Sequence, residues 1–242
     1  MLFQMSLTRI FTIYIAQGIV FAVFLYLAIK ILRRDKKRLN VIFAGFYISP
    51  VIGFFINFIY GPLTYEYVPI ILFLNYLTNF GIFYSPIFLV VFDLILLKSE
   101  KVINTAKQAL ILVAFGIVMF CMIFFIITPG YGVTIVNEGG NLTPVWSIPF
   151  FLYLVCTELI VTITIFYLSL SIYKKFQDET LKQKWKSFIY GFLCLIVFMY
   201  GIFVSNWLNN PTFRIGMGLT GIILAIISAF LIYRGVGRQL EK

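Results

Sequence analysis

Histidine is absent from the chain. That removes the one side chain whose ordinary titration lies near neutrality, and with it the commonest metal ligand. Charge is scarce as well: only 12% of the 242 residues are charged, and nine are acidic. A soluble domain carries roughly a quarter charged residues, so this chain lacks the polar surface to coat a water-soluble globule. Cysteine is limited to Cys121, Cys156 and Cys194, each inside an apolar run. With none in a loop, no extracellular disulfide framework is available, and metal-ligand spacing is missing. The three read as small apolar packing residues. A Ser-centred elbow and paired intramembrane aspartates are also missing, which disfavours hydrolases and proteases. "GMGLTG" (residues 216–221) lies inside an apolar run without Lys-Ser/Thr, so it is not a phosphate loop. The chain is therefore expected to be no enzyme and to need no metal or cofactor.

What is present is oil: 62% of the residues are hydrophobic, including 28 Phe and 15 Tyr. Seven blocks reach the roughly 20 residues of helix that a hydrocarbon core demands. They run over about 10–32, 39–60, 70–97, 105–128, 147–173, 187–208 and 212–233. The expected fold is all-α, a seven-transmembrane-helix bundle forming one domain over residues 1–242, in the plasma membrane. The first block is too long for a cleaved signal peptide, and its basic cluster follows it rather than preceding it. The longer third and fifth blocks should tilt or project.

Basic residues sort sharply between alternate loops. One side takes Lys30, Arg33, Arg34, Lys36, Lys37, Arg38, Lys98, Lys101, Lys107, Lys174, Lys175, Lys182, Lys184, Lys186, Arg234, Arg238 and Lys242. The other takes Arg9 and Arg214. Short cytoplasmic loops collect Lys and Arg, so the N-terminus is expected outside and the C-terminus in the cytoplasm. Trp146 and Trp207 fall at outer ends and Trp185 at an inner end, where amphipathic rings prefer the headgroup level. The cluster Arg33–Arg38 also suits anionic lipid headgroups. The net charge of +10 needs no nucleic-acid partner.

The longest outer loop, "PGYGVTIVNEGGNLTP", is rich in turn residues and fits a small hairpin over the bundle mouth. Its Asn141 opens an N-glycosylation triplet. "YLAIKILRR" and "YLSLSIYKK" keep register between the first and fifth spans, consistent with a three-plus-one-plus-three duplication. Gly221, Ala225 and Ala229 form a small face on the seventh span, and Gly201 and Ser205 one on the sixth; such faces permit close helix contact. Pro50, Pro86 and Pro149 should kink their helices, with Pro86, after Ser85, the best hinge.

Polar groups within a span are costly and face the interior. Glu158 lies about eleven residues into the fifth span, near the midplane; translocon scales charge about 2.5–3.5 kcal/mol for such a group. Arg214 could lean inward to meet it. Asp93 lies close enough to the inner end to reach the interface or Lys98. In the outer half, Asn75 and Asn79 stack one turn apart. Asn57, Gln17, Asn206 and Tyr200 lie at similar depth. Together with Glu158 they suit a pocket for a small, mostly apolar ligand with one polar or cationic end; interhelical hydrogen bonding is the alternative use.

"LNYLTNFGIFYSPIFLVVFDLIL" (residues 74–96) resembles the third span of the seven-helix sensor module at the N-terminus of some histidine kinases. The match covers Tyr76, Gly81, Pro86 and Phe92, and the span order, orientation and basic first inner loop also fit. In that family the last span continues into cytoplasmic signalling domains. Here "RGVGRQLEK" follows it, and its two glycines interrupt an output helix. The resemblance implies a stand-alone sensing unit that works through a separate cytoplasmic partner. Three functions stay open: a receptor or sensor for a small ligand in the outer half, a small-molecule or proton-coupled transporter centred on Glu158, and a non-catalytic assembly subunit. A retinal protein is excluded, because the last span has no Lys for a Schiff base.

The charge asymmetry makes a direct prediction. An N-terminal tag is accessible on intact cells and a C-terminal tag only after permeabilisation. Both tags on one face would contradict the assignment.

Overall fold

The computed structural model describes residues 10–34, 36–138 and 141–237. Arg9, Asp35, Arg238 and Lys242 lie outside them. Among the described residues, seven helices are long and apolar enough to cross a membrane: α1 (Ile13–Arg34), α2 (Arg38–Tyr60), α3 (Tyr65–Lys98), α4 (Thr105–Ile127), α5 (Ile148–Lys175), α6 (Glu179–Leu208) and α7 (Pro211–Val236). The protein is an all-helical, multi-pass membrane protein. Between α4 and α5, β1 (Val133–Glu138) pairs antiparallel with β2 (Asn141–Trp146), so the expected hairpin is present. It marks one end of the bundle, called here the hairpin end. The Lys/Arg-rich loops mark the other, the basic end.

Local chemistry sets the helix starts. Asn104, Ser147, Asp178 and Asn210 each precede a helix and accept a backbone N–H from its first turn, satisfying donors that the helix itself leaves open. The bond from Thr180 N, 2.7 Å from Asp178 Oδ1, holds the Asp178 carboxyl below the ordinary carboxylate range. This cap explains why α6 starts eight residues before its apolar block: Glu, Lys and Gln are good helix formers, so the helix continues past its oily part. Pro149, expected to kink α5, sits in its first turn instead, where its missing N–H costs nothing.

The bundle is centred on α2 and α3. In their most apolar stretches 61% of residues are buried, against 11% in α4, so α4 is peripheral. Around the bundle, α1 packs on α2, α2 on α3, α3 on α5, α5 on α6, α6 on α7, and α7 returns to α1. Two three-helix groups, α1–α3 and α5–α7, thus meet along α3–α5 and α7–α1. The small face of α7 is used inside the bundle: Gly221, Ala225 and Ala229 are buried, and Tyr47 Oη of α2 donates to Ala229 O at 3.0 Å.

Two Ser-Pro dipeptides hold the centre. Pro50 lies inside α2 and has no N–H, so the carbonyl of Phe46, four residues back, loses its helical donor. Ser85 Oγ of α3 supplies one, donating to Phe46 O at 2.7 Å. In α3 the helix breaks between Phe83 and Pro86. There Ser85 N turns to Ile82 O at 3.4 Å, which leaves Gly81 O without its i+4 amide. Ser49 Oγ of α2 donates to Gly81 O at 2.5 Å. Each Ser-Pro pair thus caps the carbonyl that the opposite helix leaves open. Gly53 and Gly81 allow the approach: a Cβ on Gly81 would lie 2.9 Å from Gly53 N.

Removing the Ser85 hydroxyl strands a buried carbonyl. Ser85→Ala should cost about 1–3 kcal/mol, read as a lower thermal midpoint of the purified protein. In Pro50→Ala the returned amide serves Phe46 O, and the Ser85→Ala penalty shrinks toward zero, a non-additivity that only coupled sites show. Equal penalties in both backgrounds would contradict the exchange.

Candidate functional site

The polar residues expected in one outer pocket form separate groups. In the hairpin half, Asn57 Nδ2 of α2 donates to Gln17 Oε1 of α1. One turn further along α2, Tyr60 Oη accepts from Asn75 Nδ2 of α3 at 3.0 Å, and Asn79 Nδ2 donates to Asn75 Oδ1 at 3.0 Å. Asn57, Asn75 and Asn79 are all buried. The Asn57–Gln17 and Asn75–Tyr60 bonds join α1, α2 and α3, and the Asn79–Asn75 bond lies within α3. Such interhelical bonds contribute about 0.6–2 kcal/mol each. Asn206 is half-buried at the end of α6.

Tyr200 belongs with α5. Its Oη lies 3.5 Å from Thr162 Oγ1, and it interacts electrostatically with Glu158. Glu158 is wholly buried, and neither carboxyl oxygen has a hydrogen-bond partner among the described residues. It lies ten residues inside α5, about 15 Å along the axis. Arg214 does not pair with it. The guanidinium reaches Pro144 O at 3.3 Å and Ser205 O at 3.5 Å, tying α7 to the hairpin and α6. Arg214 stands only three residues into α7, close enough to that end for the hairpin carbonyl to capture it. Asn141 pairs through its backbone with Glu138; its side chain lies outside the described residues.

Asp93 is not an interface acid. It is wholly buried and accepts from Ser169 Oγ of α5 at 2.6 Å. The same Ser169 presents its carbonyl to Trp185 Nε1 of α6 at 2.8 Å. α3, α5 and α6 therefore meet at one polar node close to the basic end. Sequence reasoning passed over this node, although Pro86, Val90 and Asp93 share one helical face of α3. On α5, Glu158, Thr162 and Ser169 share a face too, since eleven residues make about three turns.

Two tryptophans expected at headgroup level serve the interior. Trp185 is 1% exposed at the node. Trp146, at the end of β2, is 2% exposed and packs edge-on against Phe83 and Phe150, which plugs the hairpin into the bundle. Trp207 alone is exposed, stacked on Phe151. Of the basic cluster, Arg38 is committed to the protein: its Nε donates to Gln108 Oε1 at 2.6 Å and its Nη1 to Glu100 O at 3.5 Å. Arg33 and Lys36 are exposed.

An apolar cavity of about 30 Å³ lies beside the two Ser-Pro breaks, lined by Val20, Phe24, Pro50, Phe54, Pro86 and Leu195 among others. That is room for a water or two. None of the polar residues expected to bind ligand lines it. Among the described residues no three His, Cys, Asp or Glu side chains come together to hold a metal ion. Cys121, Cys156 and Cys194 are free thiols, and Cys156 is exposed on the bundle's outer surface rather than packed.

The node makes a stability prediction. Ser169→Ala leaves Asp93 buried without its donor and should lower stability by about 1–3 kcal/mol, measured as the denaturation midpoint in mixed micelles. Asp93→Leu combined with Ser169→Ala should recover part of the loss, because an apolar pair needs no partner. An unchanged midpoint in Ser169→Ala would show that the bond contributes nothing.

No protein-family model matches the chain, and no curated protein matches its sequence.

Proposed function

We propose that this protein is a membrane sensor. A small ligand acts in the hairpin half of the bundle, and the response passes through α3, α5 and α6 to the basic loops, where a separate cytoplasmic partner reads it. In this reading the hairpin end faces outward and the basic end faces the cytoplasm. The observation that carries it is the node of Asp93, Ser169 and Trp185. The node lies on the basic side of the α3 break, so a change in the angle of that break reaches α5 and α6 through two buried hydrogen bonds. The outer half of α3 is bonded to α2 by Asn75, the basic half to α5 by Asp93, and the break with Pro86 lies between them. A hinge between two anchored halves is the layout that a relay requires. The resemblance of residues 74–96 to a sensor-module span points the same way.

A transporter is the second reading. The break in α3 facing the proline inside α2, and the buried carboxyl of α5, favour it, because discontinuous helices near the midplane are a transporter device.

Fluorine NMR on protein labelled with 5-fluorotryptophan separates the readings. The chain has three Trp, so Trp185 is assignable with one Trp185→Phe control. A sensor predicts that a compound found by thermal stabilisation shifts the Trp185 resonance and is not accumulated by proteoliposomes. Accumulation abolished in Glu158→Gln would establish the transporter instead.

A further inference from the structure

We infer that Glu158 is a proton-binding site and that the proton is a stimulus this protein responds to. The assignment of the site is independent of the sensor reading; only its role as a stimulus rests on that reading.

The two carboxyls buried among the described residues, Asp93 and Glu158, differ in their bonding. Asp93 is bonded to Ser169 and built into the node that joins three helices. Glu158 is equally buried, yet both its oxygens lack a hydrogen-bond partner among the described residues. A buried polar group left without partners calls for an explanation, and an ion or exchangeable ligand is one. An ionisable group within a membrane span is a functional candidate on physical grounds.

Size and charge select the ligand. An organic ligand needs a pocket of about 300 Å³ or more, whereas the central cavity is about 30 Å³ and Glu158 does not line it. A divalent cation needs several oxygen ligands at once, and among the described residues no cluster of acids surrounds Glu158. Among the described residues no cation bonds to it either; Arg214 is held at Pro144 O and Ser205 O. A proton meets each condition. It needs no cavity, it needs one carboxylate, and its binding removes the net charge of the site by forming one O–H bond.

The surroundings of the site are specified. Among the described titratable groups on the helices packed against α5, Tyr200 of α6 interacts electrostatically with Glu158, and with Cys156 of α5 itself. Asp93 of α3 lies about three turns further along, at the level of Ser169. Cys121 of α4 interacts with Tyr76 and Tyr153. Thr162 and Tyr200, with hydroxyls 3.5 Å apart, are the polar side chains placed to pass a proton. Once charged, the carboxyl has no hydrogen-bond donor among the described residues, and a shift of α5 and α6 would bring water or a donor to it. That shift would reach the basic end along the face of α5 that carries Ser169.

Infrared difference spectroscopy tests this on the full chain in nanodiscs, titrated across the pH range in which the protein stays folded. A carboxylic C=O band should appear on acidification and shift in protein carrying carboxyl-labelled 13C-glutamate. It should be lost in Glu158→Gln and kept in Asp93→Asn. The other glutamates also titrate and shift with the label, so Glu158→Asp serves as a second variant: it keeps a carboxyl at the site, and the buried band should then no longer shift with glutamate labelling. A pH-invariant spectrum would overturn the proposal, as would a titrating band insensitive to glutamate labelling. The role as stimulus is read separately, from the Trp185 fluorine resonance: a resonance that moves with the band joins the site to the sensor. A titrating Glu158 band with a static Trp185 would leave the proton site standing and remove the sensor reading.

Discussion

The exchange of serine hydroxyls between α2 and α3 is the constraint on which the rest of the bundle depends. Lipid offers no water to a helix whose backbone has been opened by proline, so each open carbonyl must find a donor inside the protein. Ser49 and Ser85 provide those donors reciprocally, at 2.5 and 2.7 Å. The two helices can then carry prolines at facing positions, with a break in α3 alone, without stranding a buried group, provided they stay in register and in close contact. Gly53 and Gly81 permit that contact. Everything that packs outward from this pair inherits its geometry: α1 and α7 against α2, and α5 against the basic half of α3.

That geometry assigns different work to the two halves of α3. The hairpin half is bonded to its own three-helix group, through Asn75 to Tyr60. The basic half is bonded to the opposite group, through Asp93 to Ser169. A single broken helix therefore bridges the two groups, with its softest point between the anchors. The hairpin closes the other end, with Trp146 wedged among aromatic rings and Arg214 of α7 holding the Pro144 carbonyl.

The parts of this architecture that follow from solvent transfer were legible in the sequence. Runs of about 20 apolar residues gave the spans, and the Gly- and Asn-rich loop gave the hairpin. The parts that follow from side-chain direction were not. Asp93 sits near a helix end, where depth alone suggests escape to the interface; its buried fate depends on facing α5. Trp146 and Trp185 likewise sit at headgroup depth but turn inward. The start of α6 was missed because hydropathy ends where charged helix formers begin. The two Ser-Pro pairs were visible singly, but their partnership depends on a register between helices that a single sequence does not reveal. The polar residues of the hairpin half were expected in one pocket; Gln17, Asn57, Asn75 and Tyr200 instead bond or face neighbouring helices, and Asn79 bonds within α3.

The central claim is that the break in α3 is a held joint rather than a loose one. Phe73 in the hairpin half and Leu96 in the basic half are both exposed on the outer surface, 23 residues apart. Spin labels at these positions, in a cysteine-free background, report the angle of the joint by electron–electron double resonance. The account predicts a narrow distance distribution in the otherwise native protein, broadening when Ser49 and Ser85 are both changed to alanine. A distribution that is already broad, or that ignores the loss of both hydroxyls, would contradict it.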